Sequence, residues 1–159
     1  MIQVSKRHIT LKCLVVLVLV FSEFSYSDTF LCVAERANGF VYDQETKTWG
    51  VSSLSIENRK YLVSRTNSND IFSKALKSDY EIKKVNSPKP IIHCKAVKLA
   101  DSNEETGLIM CRGSLGASFN FDKRSGRYIR SQPTGYVTKE TSSETGNGPY
   151  IEIGNCSPE

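Results

Sequence analysis

Four cysteines set the strongest constraint on this chain: Cys32, Cys94, Cys111 and Cys156 are spread along it behind an N-terminal segment that reads as an export signal. Lys6, Arg7 and His8 form a positive head, the run from Cys13 to Phe21 is apolar without a break, and Ser25 and Ser27 offer small residues just before Asp28. That is the order of parts in a secretory signal peptide. A membrane-spanning helix needs roughly 20 apolar residues, and Ser22, Glu23 and Ser25 end this run short of that. The expected product is residues 28–159, exported to the periplasm or outside the cell, with no integral membrane segment after cleavage of residues 1–27. Cys13 leaves with the signal, so four cysteines remain in an oxidising compartment and read as two disulfides.

Around those cysteines the chain is patterned for strands. Thr29 to Arg36 has Phe30, Cys32 and Ala34 on one side and Leu31 and Val33 on the other, which suits a central strand. Asn38-Gly39 reads as a turn or bend, followed by Phe40–Tyr42, a polar loop, Trp49–Val51 and then Tyr61–Val63, a meander of short strands. Ser68-Asn-Asp70 can cap a short helix near 70–78, where Ile71, Phe72, Ala75 and Leu76 share a face. Pro88 and Pro90 make the next segment a connector, because neither can donate to a ladder. Ile91–Leu99, Leu108–Gly113, Phe119–Phe121, Arg127–Ile129, Tyr136-Val137 and Pro149–Ile153 complete the set, with Lys139–Gly148 read as a mobile polar loop. The expected fold is mainly β: a single-domain antiparallel meander, either a barrel or a two-sheet sandwich. The barrel is preferred, since polar turns in sequence suggest neighbours pairing in order.

The spacing also selects a disulfide connectivity. If Ile91–Leu99 and Leu108–Gly113 form a hairpin about the polar loop between them, Cys94 falls nearly opposite Cys111. Facing residues in an antiparallel pair bring their Cβ atoms to about 4.5–5.5 Å, near what a disulfide needs. Cys94–Cys111 then leaves Cys32–Cys156 to tie the first strand to the tail.

Chemistry is harder to find. His93 is the only histidine after residue 27, and there is no Cys-x-x-C spacing, so a zinc site has no donor set. A Cys–His nucleophile is implausible with Cys94 oxidised, and Gly113-Ser-Leu-Gly116 falls one residue short of a nucleophile elbow. The acids at Asp43/Glu45, Asp101/Glu104/Glu105 and Glu140/Glu144 lie in expected loops. Losing the signal takes Lys6, Arg7, Lys12 and Glu23 away and lowers the net charge from +4 to +2, too mild to imply nucleic acid. No catalytic residue, metal or cofactor is expected. Two features remain for binding: the single Trp49, and a cationic hairpin with Lys123, Arg124, Arg127, Tyr128 and Arg130, where Tyr128 offers a stacking face.

The pattern Cys32-x6-Gly39-Phe40-Val-Tyr42, then Trp49, Gly126-Arg-Tyr128, Gly135-Tyr136 and the tail Ile151-Glu-Ile-Gly-Asn-Cys156 resembles a group of small secreted proteobacterial proteins with no established activity. The resemblance implies a bacterial envelope location. The expectation is a secreted, non-catalytic binding protein whose ligand is an envelope protein, a glycan or a small apolar molecule. An inhibitor or immunity protein acting on an envelope enzyme is one form of it, and a cryptic hydrolase is the rival. A ligand carrier requires a cavity beside Trp49 or the phenylalanines; a protein-binding module requires a filled core and an exposed patch.

Overall fold

The computed structural model describes residues 28–67, 71–134, 136 and 148–159, with the side chain of Phe72 left aside. Residues 1–27, the mobile-loop reading of Lys139–Gly148 up to residue 147, and Val137 lie outside the described residues. Nine strands form one antiparallel sheet: β1 (Thr29–Asp43), β2 (Thr48–Ser53), β3 (Lys60–Arg65), β4 (Tyr80–Lys84), β5 (Pro90–Lys98), β6 (Glu105–Arg112), β7 (Ser118–Asp122), β8 (Arg127–Gln132) and β9 (Tyr150–Pro158). From β3 to β9 each strand pairs with the next in sequence, and β9 returns to β1. The result is a closed eight-stranded barrel in which β2 is an extra strand outside the ring. A six-residue helical segment, α1 (Ile71–Leu76), sits where a short helix was expected. None of the helices among the described residues is long and apolar enough to cross a membrane.

One local reading needs correcting. Asn38-Gly39 does not turn the chain; it lies inside the single long strand β1. The reason is that β1 is shared. Its first half pairs with β3, its second half with β2, and both halves with β9. A bulge between Ala34 and Arg36 bends it between those duties. At Gly39 an added Cβ would come within 2.7 Å of the Pro149 carbonyl, so the glycine serves close approach rather than reversal. The early meander is therefore interrupted, with β3 beside β1 and not beside β2. Tyr136 lies in a turn and not in a strand.

Alternation along the strands fills the interior. Phe30, Val63, Ile82, Ile109, Phe119 and Phe121 are buried there, and an eight-stranded barrel has an interior just wide enough for such side chains. Phe30 meets Phe121 edge to face at 5.0 Å, and Phe119 stacks on Tyr128 at 4.6 Å.

Both disulfides form as the spacing predicted, Cys32–Cys156 and Cys94–Cys111, and each joins residues directly opposite on neighbouring strands. Their backbone groups point away from one another: Cys94 accepts from the Asp79 N–H, and the Cys156 N–H donates to Gly126. Both are thus non-hydrogen-bonded pairs, the positions where antiparallel strands bring side chains closest. Cys32–Cys156 lies on the β1–β9 seam that closes the ring.

Candidate functional site

The cationic hairpin divides between the two sides of the barrel wall. Arg127 and Ile129 point outward, while Tyr128 and Arg130 point inward. Tyr128 lies directly across from Gly154 on β9, where a Cβ would meet its ring at 2.6 Å and the Val33 carbonyl at 2.2 Å. The missing side chain lets the ring lie flat along β9, so its hydroxyl reaches the diagonal neighbour on the same face, Glu152.

Glu152 is the centre of a polar cluster at one end of the barrel. It is fully buried, and its Oε1 accepts from the Tyr128 hydroxyl at 2.8 Å. Its Oε2 accepts from Arg59 Nη1 at 2.8 Å and from the Tyr61 hydroxyl at 3.2 Å. Tyr61 in turn accepts from Arg130 Nη1 at 2.5 Å. Both guanidinium groups lie over the Tyr150 ring, Arg59 at 4.6 Å and Arg130 at 5.5 Å from its centroid. Burial, with the Glu152 charge adding to it, pushes Tyr61 up to about 12 even though Arg130 pulls the other way. Burial and the Glu152 hydrogen bond push Tyr128 up as well. Both phenols therefore stay protonated and act as donors to the carboxylate.

A second network closes the opposite end. Lys123 Nζ donates to the Tyr80 hydroxyl at 2.8 Å and to Glu105 at 3.1 Å. Arg65 bridges Glu105 and Asp28, each at 3.0 Å. Burial pushes the Glu105 carboxyl up, but its hydrogen bonds to Lys123 and Arg65 outweigh that and hold it below its ordinary 4.5. An apolar middle layer with a charged plug at each end leaves the phenylalanines packed against neighbouring side chains.

The outer wall is unusual where β8 and β9 run side by side. Ile129 faces Ile153 across the pair, Ile151 follows on the same face, and all three are exposed while their inward neighbours are Tyr128, Arg130 and Glu152. Here the normal alternation is inverted, with isoleucine outside and charge inside. The apolar surface continues to Phe40 on β1 and to Val51 on β2, its cross-strand partner, which is 78% exposed. Phe40, Val51, Ile151 and Ile153, with Arg36, Pro133, Pro149 and Tyr150, line an open groove of roughly 720 Å³. Trp49 lies farther along β2, not in the barrel interior, packed between Tyr42 at 5.4 Å and Tyr136 at 5.6 Å.

Val51 carries the groove onto β2, the last strand of the sheet among the described residues. Leu54 N–H donates to Ala37 and Phe40 N–H donates to Pro149, which fixes the hydrogen-bonding parity of β1 and β2. By that parity the N–H and C=O groups of Trp49, Val51 and Ser53 point away from β1. Among the described residues β2 pairs on one side only. Its sequence, Thr-Trp-Gly-Val-Ser-Ser, carries neither charge nor proline, the usual devices that blunt an edge.

The remaining candidates stay apart. His93 is opposite Arg112 and Glu81 on the wall, with Cys94 locked in its disulfide. Glu105 joins the second network, whereas Asp43 caps its own turn through Glu45 N–H and Thr46 N–H. Glu140 and Glu144 lie outside the described residues. Among the described residues there is no cluster of three His, Cys, Asp or Glu side chains able to hold a metal ion.

Comparison with protein-family models, curated proteins and solved structures finds no match to this chain.

Proposed function

We propose that this chain is an exported, non-catalytic binding protein of the bacterial envelope, and that its ligand is another protein rather than a small molecule. The observation that carries the reading is the inverted wall. Five large apolar side chains, Phe40, Val51, Ile129, Ile151 and Ile153, face outward on adjoining strands. Exposed contiguous apolar surface of this kind marks interaction sites. The uncharged β2 edge beside it supports strand addition, in which backbone hydrogen bonds supply affinity and apolar contacts supply selectivity. Outward-facing Arg36 and Arg127 border the patch and favour acidic residues at the partner's rim. Trp49 stands on the outer ribbon and the phenylalanines are close-packed, which favours a protein-binding module over a carrier with an internal cavity. Two disulfides suit an oxidising compartment. Inhibition of, or immunity against, an envelope enzyme is the form of activity such a surface would serve.

The test compares capture from bacterial envelope extract by residues 28–159 and by the same protein carrying Val51→Asp and Ile153→Asp. A protein retained by the first and lost by the second, with purified components reproducing the difference, is the expected result. Equal recovery by both, or recovery of small molecules alone, would refute the reading.

A further inference from the structure

The far wall of the barrel carries a second concave surface. On β5 and β6 His93 lies opposite Arg112, and Lys95 opposite Met110. These four positions alternate with Cys94 and Cys111, which point inward to their disulfide, so all four face outward. α1 ends beside this wall at Leu76. An open pocket of roughly 490 Å³ lies there, with Leu76, His93, Lys95, Val97, Met110 and Arg112 in its lining. Small-molecule sites are typically about 300–1,000 Å³.

The lining combines two chemistries. Leu76, Val97 and Met110 are apolar, and Leu76 is 54% and Met110 39% exposed. Lys95 and Arg112 are exposed cations, and neither forms an ion pair among the described residues. No carboxylate among the described residues lines the pocket. The nearby acids on β4 and just before it are engaged elsewhere: Asp79 accepts from the Ala96 N–H, and Glu81, opposite His93, pairs with Lys83. His93 Nδ1 is closed to solvent and has no hydrogen-bond partner, so the imidazole offers the pocket a ring face and not that edge. Lys95 and Arg112 are diagonal neighbours on one face of the β5–β6 pair, about 7–8 Å apart at the backbone and within reach of a shared anion. An arginine fork matches two oxygens of a carboxylate or phosphate, and a lysine adds a point charge. We propose that this pocket binds a small anionic amphiphile, an alkyl chain with a carboxylate or phosphate head. The head lies between Lys95 and Arg112, and the chain lies against Leu76, Val97 and Met110. The site is separate from the outer apolar patch, because β7 stands between β6 and β8.

Met110 is the only methionine after residue 27, so its methyl resonance is a single reporter placed in the site. Octanoate and octyl phosphate, kept below their micelle-forming concentrations, are titrated into residues 28–159 at constant ionic strength. The comparison probes are neutral octyl glucoside, cationic octyltrimethylammonium, and the tailless anions acetate and inorganic phosphate. At least one anionic amphiphile should move the methyl resonance saturably, and each comparison probe should bind about tenfold more weakly or less, the scale of one lost charged hydrogen bond. Lys95→Gln/Arg112→Gln should weaken binding by at least that factor with an unchanged Tm, since both side chains are exposed, while Lys60→Gln on β3 should leave binding as it is. Response to octanoate alone identifies a carboxylate head, response to octyl phosphate alone a phosphate head, and response to both a site that reads charge and chain together. No saturable shift with either amphiphile, equal binding of octyl glucoside or of the tailless anions, or undiminished binding by the double variant overturns the proposal.

Discussion

The two disulfides differ in one respect that their stability contributions should expose. Cys32 and Cys156 are 124 residues apart, whereas Cys94 and Cys111 are 17 apart. Otherwise they are alike: all four side chains are buried, and both bridges join directly opposed residues. In the chain-entropy treatment the cost of closing a loop in the unfolded chain grows with the logarithm of its length. At 25 °C those separations give about 4.9 kcal/mol for the seam bridge and about 3.1 kcal/mol for the hairpin bridge. Replacing each pair by alanine removes two buried sulfur atoms in both cases, so the packing loss largely cancels in the comparison. The expected difference is about 1.8 kcal/mol, with Cys32→Ala/Cys156→Ala the less stable. Equilibrium urea unfolding of the two double variants, followed by tyrosine fluorescence and far-UV circular dichroism, measures it. The seam variant should also unfold with the steeper slope of the two, since removing the long-range link exposes more surface in the unfolded chain. Equal stabilities, or a less stable hairpin variant, would refute the argument that unfolded-state entropy dominates.

Three further outcomes follow from the same packing. Glu152→Leu leaves Arg59, Tyr61 and Tyr128 without their shared acceptor and should cost about 3–5 kcal/mol in urea unfolding; a loss below about 1 kcal/mol, the scale of one ordinary hydrogen bond, would show that the carboxylate does not organise that end. Gly154→Ala puts a methyl group against the Val33 carbonyl and the Tyr128 ring, so it should destabilise by about 1–3 kcal/mol or more, and near-UV circular dichroism should report the displaced ring. The Glu105 carboxyl, held below 4.5 by Lys123 and Arg65, contributes stability that is complete above its unfolded value and is lost as pH falls through its lower folded value. Lys123→Met should raise the Glu105 midpoint in a carbon-detected NMR titration and flatten the acid limb of the stability profile; an unchanged midpoint would remove Lys123 as a cause.

The fold was readable because its signals are local. Polar turns such as Lys123–Gly126 fix hairpins, and Gly126 adopts the positive φ of 69° that its turn requires. Cys94 and Cys111 then fall opposite each other by counting residues. The sharing of β1 was not readable in the same way, because whether Asn38-Gly39 turns or extends depends on β9, more than a hundred residues away. The site was hardest to read. Ile151 and Ile153 look like a core face, and by composition alone the glutamate between them belongs in solvent. One signal does settle the matter: residues 152, 154 and 156 share a face, and Cys156 must point inward to meet Cys32. Disulfide parity therefore places Glu152 inside and both isoleucines outside. Arg59 lies in a polar connection and reaches Glu152 only through tertiary structure, so no spacing announces it.

The seam has a consequence for how the chain may be cut. Thr29 O accepts from the Glu159 N–H at 3.0 Å, so the outer ends of β1 and β9 lie side by side. The barrel is a ring in which the position of the break is a matter of connectivity and not of packing. A circular permutant joined across Asp28 and Glu159 and reopened in the Lys123–Gly126 turn would keep all nine strands in their pairings. In that permutant Cys32 and Cys156 become near neighbours along the chain, and the bridge that spans the longest loop here would span one of the shortest.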